Sequence, residues 1–216
     1  MKRAVILETL ERSGIIAVIR LRSADKLTEI IDALISGGIQ ALEITMTTPN
    51  AVEIIRDTSQ NLSADFIIGA GTVLDSDTAV AVIRAGAQFV VSPVFKPEII
   101  SVVHQYDKVA IPGAFSATEI LAAWESGADM VKVFPATVLG LRYFKDIHGP
   151  LPQVKLTPTG GVSLSNAEEF IRCGAVCLGV GSALLDKELI RKQDWTALTQ
   201  RARQFKAAVA RGRTEK

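Results

Sequence analysis

Cysteine, histidine, clustered charge and long apolar runs are all scarce in this chain, and each scarcity removes a class of function. The 216 residues include two cysteines, Cys173 and Cys177, separated by Gly174-Ala175-Val176. That spacing offers neither a disulfide framework nor a paired metal clip, so both read as small core residues. The two histidines, His104 and His148, lie far apart and lack the spacing of metal ligands, which disfavours a metal-dependent mechanism. A formal net charge of +1 without a long basic run argues against a nucleic-acid surface. The basic tail from Arg201 to Arg213 is interleaved with alanines, ends at Glu215 and Lys216, and reads as a solvated terminal helix. Apolar runs such as Phe66 to Ala70 are far short of a membrane span, and Ala4 to Leu7, followed by Glu8, Glu11 and Arg12, is too short for a secretory leader. A soluble, cytoplasmic protein is expected, with no membrane or nucleic-acid partner.

What is present is hydrophobic residue in quantity, 48% of the chain, enough for one large core and a single domain over residues 1–216. After a leading helix near Arg3 to Arg12, short apolar runs alternate with segments of helical period. One such helix places Leu27, Ile30, Ile31, Leu34 and Ile35 on one face, stops at Gly37-Gly38 and hands over to a strand at Gln40 to Thr45. The same helix-Gly-strand handover recurs at Ala85-Gly86-Ala87, Ser126-Gly127-Ala128 and Cys173-Gly174-Ala175. Apolar runs begin near residues 15, 40, 66, 89, 109, 130, 154 and 176, of which Lys108 to Pro112 is the weakest. Strands alternating with helices in this way predict an α/β chain, a single (β/α)8 TIM barrel with an extra N-terminal helix. A doubly wound open sheet would need a Gly-rich phosphate turn after the first strand, and Ile19-Arg20-Leu21-Arg22 provides none.

Lys132 stands out within Met130-Val131-Lys132-Val133-Phe134, because a lysine in an apolar strand either snorkels to solvent or is buried facing a cavity. Burial penalises the ammonium and favours the free amine, the form that attacks a carbonyl to make a Schiff base. In a barrel the working groups collect at the C-terminal ends of the strands. Glu43 meets that condition, since alternation in Ala41-Leu42-Glu43-Ile44-Thr45 turns it to the side of Ala41 and Thr45. It reads either as an ion-pair partner of Arg20 or as the general base that Schiff-base chemistry requires. Lys155 is a rival nucleophile, but it sits near the start of its strand, toward the other end of the barrel, and is assigned a structural or surface role. Thr159-Gly160-Gly161 and Gly179-Val180-Gly181-Ser182 follow the last two strands, where backbone amides at tight glycine turns suit a phosphate group.

Taken together, these stretches resemble the 2-dehydro-3-deoxy-phosphogluconate (KDPG) aldolases, with the related 4-hydroxy-2-oxoglutarate (KHG) aldolase activity. The resemblance is carried by Gly14 to Arg20, Leu42-Glu43-Ile44-Thr45, Ile68-Gly69-Ala70-Gly71-Thr72-Val73, Val91-Ser92-Pro93, Ile111-Pro112-Gly113, Val131 to Ala136 and Thr157 to Val162, in family order across nearly the whole chain. It implies a class I aldolase without metal or cofactor, a homotrimer, acting on a phosphorylated 2-keto-3-deoxy sugar acid and releasing pyruvate. By motif, Lys132 is similar to the Schiff-base lysine and Glu43 to the acid/base. Thr72, Pro93, Phe134 and Thr159 would line the pocket, Arg20 would face the substrate's anionic part, and Gly160, Gly161, Gly181 and Ser182 would hold the phosphate. One departure bears on specificity: Thr47 stands where some members carry an arginine, which loosens the expected preference between the two substrates.

Three rival readings remain open on sequence. A galactonate-specific aldolase of the same family would carry the same motifs. A phosphosugar isomerase, epimerase or thiamine-phosphate-synthase-like barrel would share the phosphate turns without needing the lysine. A noncatalytic phosphosugar-binding barrel would have no reason to keep a buried lysine beside an inward carboxylate.

Overall fold

Glycine punctuation and apolar runs translate into short elements in strict alternation. The computed structural model describes residues 1–21, 25–61, 63 and 65–214; Arg22, Glu215 and Lys216 lie outside the described residues. In chain order the elements are α1 (Arg3–Ser13), β1 (Ile15–Ile19), α2 (Leu27–Ser36), β2 (Ala41–Thr45), α3 (Ala51–Asn61), β3 (Ile67–Gly71), α4 (Ser76–Arg84), β4 (Phe89–Val91), α5 (Pro97–Gln105) and β5 (Val109–Ile111). There follow β6 (Gly113–Ala114), α6 (Ala117–Glu125), β7 (Val131–Val133), α7 (Ala136–His148), β8 (Leu156–Pro158), α8 (Ala167–Arg172), β9 (Leu178–Val180), α9 (Lys187–Lys192) and α10 (Trp195–Thr214). At each of the four handovers one glycine, Gly38, Gly86, Gly127 or Gly174, takes a positive φ, which lets a helix end and the next strand begin within a few residues.

All the strand pairs are parallel, but the expected single closed ring resolves into two ladders. One has six strands in the order β5-β4-β3-β2-β1-β9, the other three in the order β6-β7-β8. Prolines sit at both breaks. Lys132 N donates to Pro112 O, yet Pro112 has no N–H to return, so the fifth apolar run divides into β5 and β6. Thr159 N points to β7 and bonds Val133 O, so the missing N–H of Pro158 falls on the side of β9. There only the isolated bridges Leu156↔Ala175 and Thr159↔Gly179 connect the ladders.

Strand alternation sorts the core into two clusters. Ile15, Ala17, Leu42, Ile44, Val131, Val133 and Leu156 pack outward against the helices. Ile16, Ala41, Ile67, Phe89, Val91, Val109, Ile111, Met130 and Cys177 pack inward on one another, and Ile6 and Leu10 of α1 insert into this inner cluster fully buried. Each such side chain taken out of water contributes about 1.5–3 kcal/mol, which explains why the leading helix caps that end of the strands. Cys177 is thus a core residue, its thiol pushed up to about 12 by burial.

The terminal basic segment is a helix, as expected, but it is not merely solvated. Ala202, Phe205, Ala208 and Val209 are buried along one face of α10, which packs on α8 and α2. Its cations bond to neighbours: Lys206 Nζ donates to Ser13 O at 2.7 Å, and Arg211 Nε donates to Glu168 Oε2 at 2.7 Å. The alanines that resemble spacers in sequence supply the small apolar stripe that docks. No described helix is long and apolar enough to cross a membrane.

Candidate active site

The inner cluster turns polar one step further along the strands. Two residues after Ala41 comes Glu43, two after Met130 comes Lys132, and Thr157 lies in register with Lys132 on the neighbouring strand β8. All three are buried, Glu43 at 2% exposure, Lys132 at 5% and Thr157 at 2%. The alternation inferred for Glu43 therefore holds, and Lys132 is buried rather than snorkelling.

Glu43 Oε1 and Thr157 Oγ1 have no hydrogen-bond partner, although buried polar atoms nearly always find one. Burial pushes the Glu43 carboxyl pKa up, while the positive charges of Lys132 and, less strongly, Arg20 pull it down. Arg20 is exposed just beyond β1, and among the described residues it forms no salt bridge with Glu43. The ion-pair reading of Glu43 thus loses its geometry. A buried carboxyl that favours its protonated form, close enough to feel a lysine charge, is equipped to exchange protons.

The remaining expected residues lie at or just past the C-terminal ends of the strands. The Phe134 ring centroid is 4.9 Å from Lys132 Nζ, an apolar face set over the amine. Thr72, just past β3, has φ 59, a left-handed backbone that costs a β-branched residue about 1–3 kcal/mol and is characteristic of functional sites. Pro93 follows buried Ser92, and its carbonyl packs against the backbone of Gly113, the residue paired with Lys132 in β6. Thr159 links the two phosphate-turn candidates: its N–H bonds Val133 O, its carbonyl accepts from Ala136 N, and it bridges to Gly179. Gly160 and Gly161 have φ 87 and 76, and the Gly161 carbonyl accepts from Asn166 Nδ2. Gly181 opens a tight turn, its carbonyl accepting from Leu184 N and Leu185 N, with Ser182 exposed. The two turns are consequently neighbours, as their places after the last two strands required.

Lys155 is elsewhere. Its Nζ is 2.5 Å from Glu11 Oε1 of α1, at the end of the strands that α1 covers.

Two features lay beyond sequence reasoning. Thr157 opens one of the stretches that carry the resemblance, but it has no role of its own until the register sets it beside Lys132. A chain of hydroxyls also closes the end of β2: Thr45 Oγ1 and Thr47 Oγ1 are 2.9 Å apart, Thr45 Oγ1 and Thr48 Oγ1 3.5 Å, and Leu21 N donates to Thr48 Oγ1 at 3.4 Å. Thr47 is exposed but engaged with its neighbour, and the chain anchors the residue next to Arg20.

Known proteins are similar to this chain along most of its length. The family model described as KDPG and KHG aldolase matches residues 6–201. The chain is 38% identical over 200 residues to the 2-dehydro-3-deoxy-phosphogluconate aldolase of Treponema pallidum, covering 92% of this chain and 95% of that protein. It is 31% identical over 192 residues to the KHG/KDPG aldolase of Escherichia coli K12, covering 88% and 89%. The solved KDPG aldolase of Legionella pneumophila, with pyruvate captured at low pH as a covalent carbinolamine, superposes with a TM-score of 0.82 at 31% identity, covering 91% of this chain and 96% of that one. With its strand order, its buried lysine and carboxylate and this extended similarity, the chain belongs to the KDPG and KHG aldolase family.

Proposed function

We propose that this protein is a class I aldolase that cleaves 2-dehydro-3-deoxy-6-phosphogluconate to pyruvate and glyceraldehyde 3-phosphate through a Schiff base on Lys132. The observation that carries this reading is the burial of Lys132 and Glu43 together in the polar layer above the inner core. Neutral Lys132 attacks the C2 ketone; the carbinolamine loses water and becomes an iminium, which serves as an electron sink. Glu43 in its carboxylate form, directly or through water, takes the proton of the C4 hydroxyl. The C3–C4 bond breaks, its electrons pass into the iminium, and the products are the aldehyde and an enamine of pyruvate. Protonation at C3 and hydrolysis release pyruvate and regenerate the amine.

Phe134 shields the amine from water, Thr72, Pro93 and Thr159 shape the pocket, and Arg20 faces the substrate's anionic end. Backbone N–H groups at Gly160, Gly161, Gly181 and Ser182 receive the phosphate. The two parallel ladders work as one (β/α)8 ring, interrupted at Pro112 and Pro158, in a single domain over residues 1–216. Cleavage of 4-hydroxy-2-oxoglutarate to pyruvate and glyoxylate follows the same steps without the phosphate turns. The protein acts in the cytoplasm as a homotrimer.

Pyruvate release from the gluconate and galactonate epimers of the phosphorylated substrate, and from 4-hydroxy-2-oxoglutarate, tests the proposal. Release from the gluconate epimer with the highest kcat/KM supports it. Preference for the galactonate epimer moves the assignment within the family, and no release from any of the three overturns it.

A further inference from the structure

Gly71 ends β3 and pairs in register with Thr45 of β2. The usual reason for a glycine is missing there. Its φ is not positive, so an L side chain is allowed by the backbone, and a glycine within a strand otherwise weakens it. The place of a side chain is taken instead by the Glu43 carboxyl group. A β-carbon built on Gly71 overlaps Oε1 and stands 2.5 Å from Cδ and 2.8 Å from Cγ, and these are its three nearest atoms. Since Glu43 Oε1 has no hydrogen-bond partner, no bond at that oxygen aims the group; the walls of its slot do.

We infer that Gly71 is a positioning residue for the acid/base: by lacking a side chain it sets the conformation in which the Glu43 carboxyl lies against β3, within electrostatic reach of Lys132. The inference rests on Glu43 being the acid/base. Gly69 provides an internal control. It lies two residues earlier on the same strand face, but a β-carbon there would meet the Phe89 ring, a core contact outside the chemistry. Gly69 is paired in register with Glu43, yet Gly69→Ala should act by displacing the Phe89 ring rather than the carboxyl, and so should destabilise the fold without the rescue by Glu43→Asp.

The test compares Gly71→Ala, Glu43→Asp and their combination for pyruvate release, for borohydride trapping of pyruvate and for thermal unfolding. Gly71→Ala should still trap pyruvate but lose about a hundred-fold in kcat, the scale expected when a reacting group is displaced by about 1 Å, with a much smaller change in KM. Glu43→Asp alone should slow the enzyme. Added to Gly71→Ala it should speed it, because the shorter acid removes the two closest overlaps, at Oε1 and Cδ, and leaves only the 2.8 Å approach at Cγ to yield; a merely structural role for Gly71 would leave the two losses additive. Unchanged kcat in Gly71→Ala, or a combined variant no faster than Gly71→Ala, overturns the inference. Should Gly71→Ala fail to fold, combining it with Glu43→Ala must restore folding, and continued failure also overturns it. Full activity in Glu43→Gln would instead remove the acid/base reading itself, whereas a slow Glu43→Gln beside a normal Gly71→Ala would remove only the role of Gly71.

Discussion

Lys155 Nζ and Glu11 Oε1 lie 2.5 Å apart, which commits the second lysine of the inner strand face to the N-terminal helix rather than to chemistry. Both side chains are about a third exposed, at 35% and 37%, so solvent screening limits the pair to about 0–1 kcal/mol.

Pyruvate with borohydride should inactivate the protein and leave the reduced adduct on Lys132. Lys155→Met should trap as fast as the wild type and lose at most about 1 kcal/mol of stability. Peptide mass mapping decides the first point and denaturant unfolding the second. An adduct on Lys155 would falsify the assignment.

Glu43→Gln should keep the fold and measurable adduct formation while slowing cleavage about 100-fold or more, the scale of a lost general acid/base. Stability should respond as well. Burial raises the Glu43 pKa above its ordinary 4.5, against the pull of Lys132 and Arg20. The folded protein then holds a proton that the unfolded chain has released. The group's stabilising contribution is complete below the unfolded pKa and is lost as pH rises through the raised folded value. Glu43→Gln stays neutral throughout, so its stability relative to wild type should climb with pH across that window. Thermal unfolding from about pH 4 to about pH 8 measures this, and a pH-independent difference would contradict it.

Thr157→Val replaces an unpartnered buried hydroxyl with a methyl group of similar shape. Removing an orphan polar atom of this kind is worth about 1–3 kcal/mol, so the variant should unfold at higher denaturant concentration. Because the hydroxyl lies beside Lys132, borohydride trapping should slow in the same variant. Reduced stability would mean that the hydroxyl is already satisfied in the folded protein.

Thr47→Arg should shift preference between the phosphorylated substrate and 4-hydroxy-2-oxoglutarate. Thr47 is exposed at the end of β2 and among the described residues its side chain bonds only with Thr45, so an arginine can replace it at the cost of one 2.9 Å hydroxyl contact. A charge-assisted hydrogen bond of about 1.5–3 kcal/mol would move relative kcat/KM by roughly ten- to a hundred-fold. Unchanged kcat/KM for both substrates, or a wild type strictly specific for one, would show that position 47 does not contact the anion.

Most of the strands were legible because the helix-Gly-strand handover is a local signal: Gly38, Gly86, Gly127 and Gly174 each end a helix within their own few residues. The inward turn of Glu43 was legible for the same reason, since alternation needs only the neighbouring residues. Closure was not. Whether Pro112 and Pro158 interrupt a ladder depends on which neighbouring strand each missing N–H would have faced. The docking of α10 was missed because alanines between cations look like a solvated helix until α2 and α8 are found beneath them.

The sequence by itself determined the alternating order of elements, the lysine and carboxylate on inward strand positions and the glycine turns after the last two strands, all of them consequences of local period and backbone freedom. Only the tertiary structure decided that Lys132 and Thr157 share a register, that Lys155 is held by Glu11, and that Gly71 makes room for the Glu43 carboxyl. Those relations join residues far apart in the chain, and they exist only once parallel strands are aligned, because register and side-chain packing are set by partners that no local pattern names.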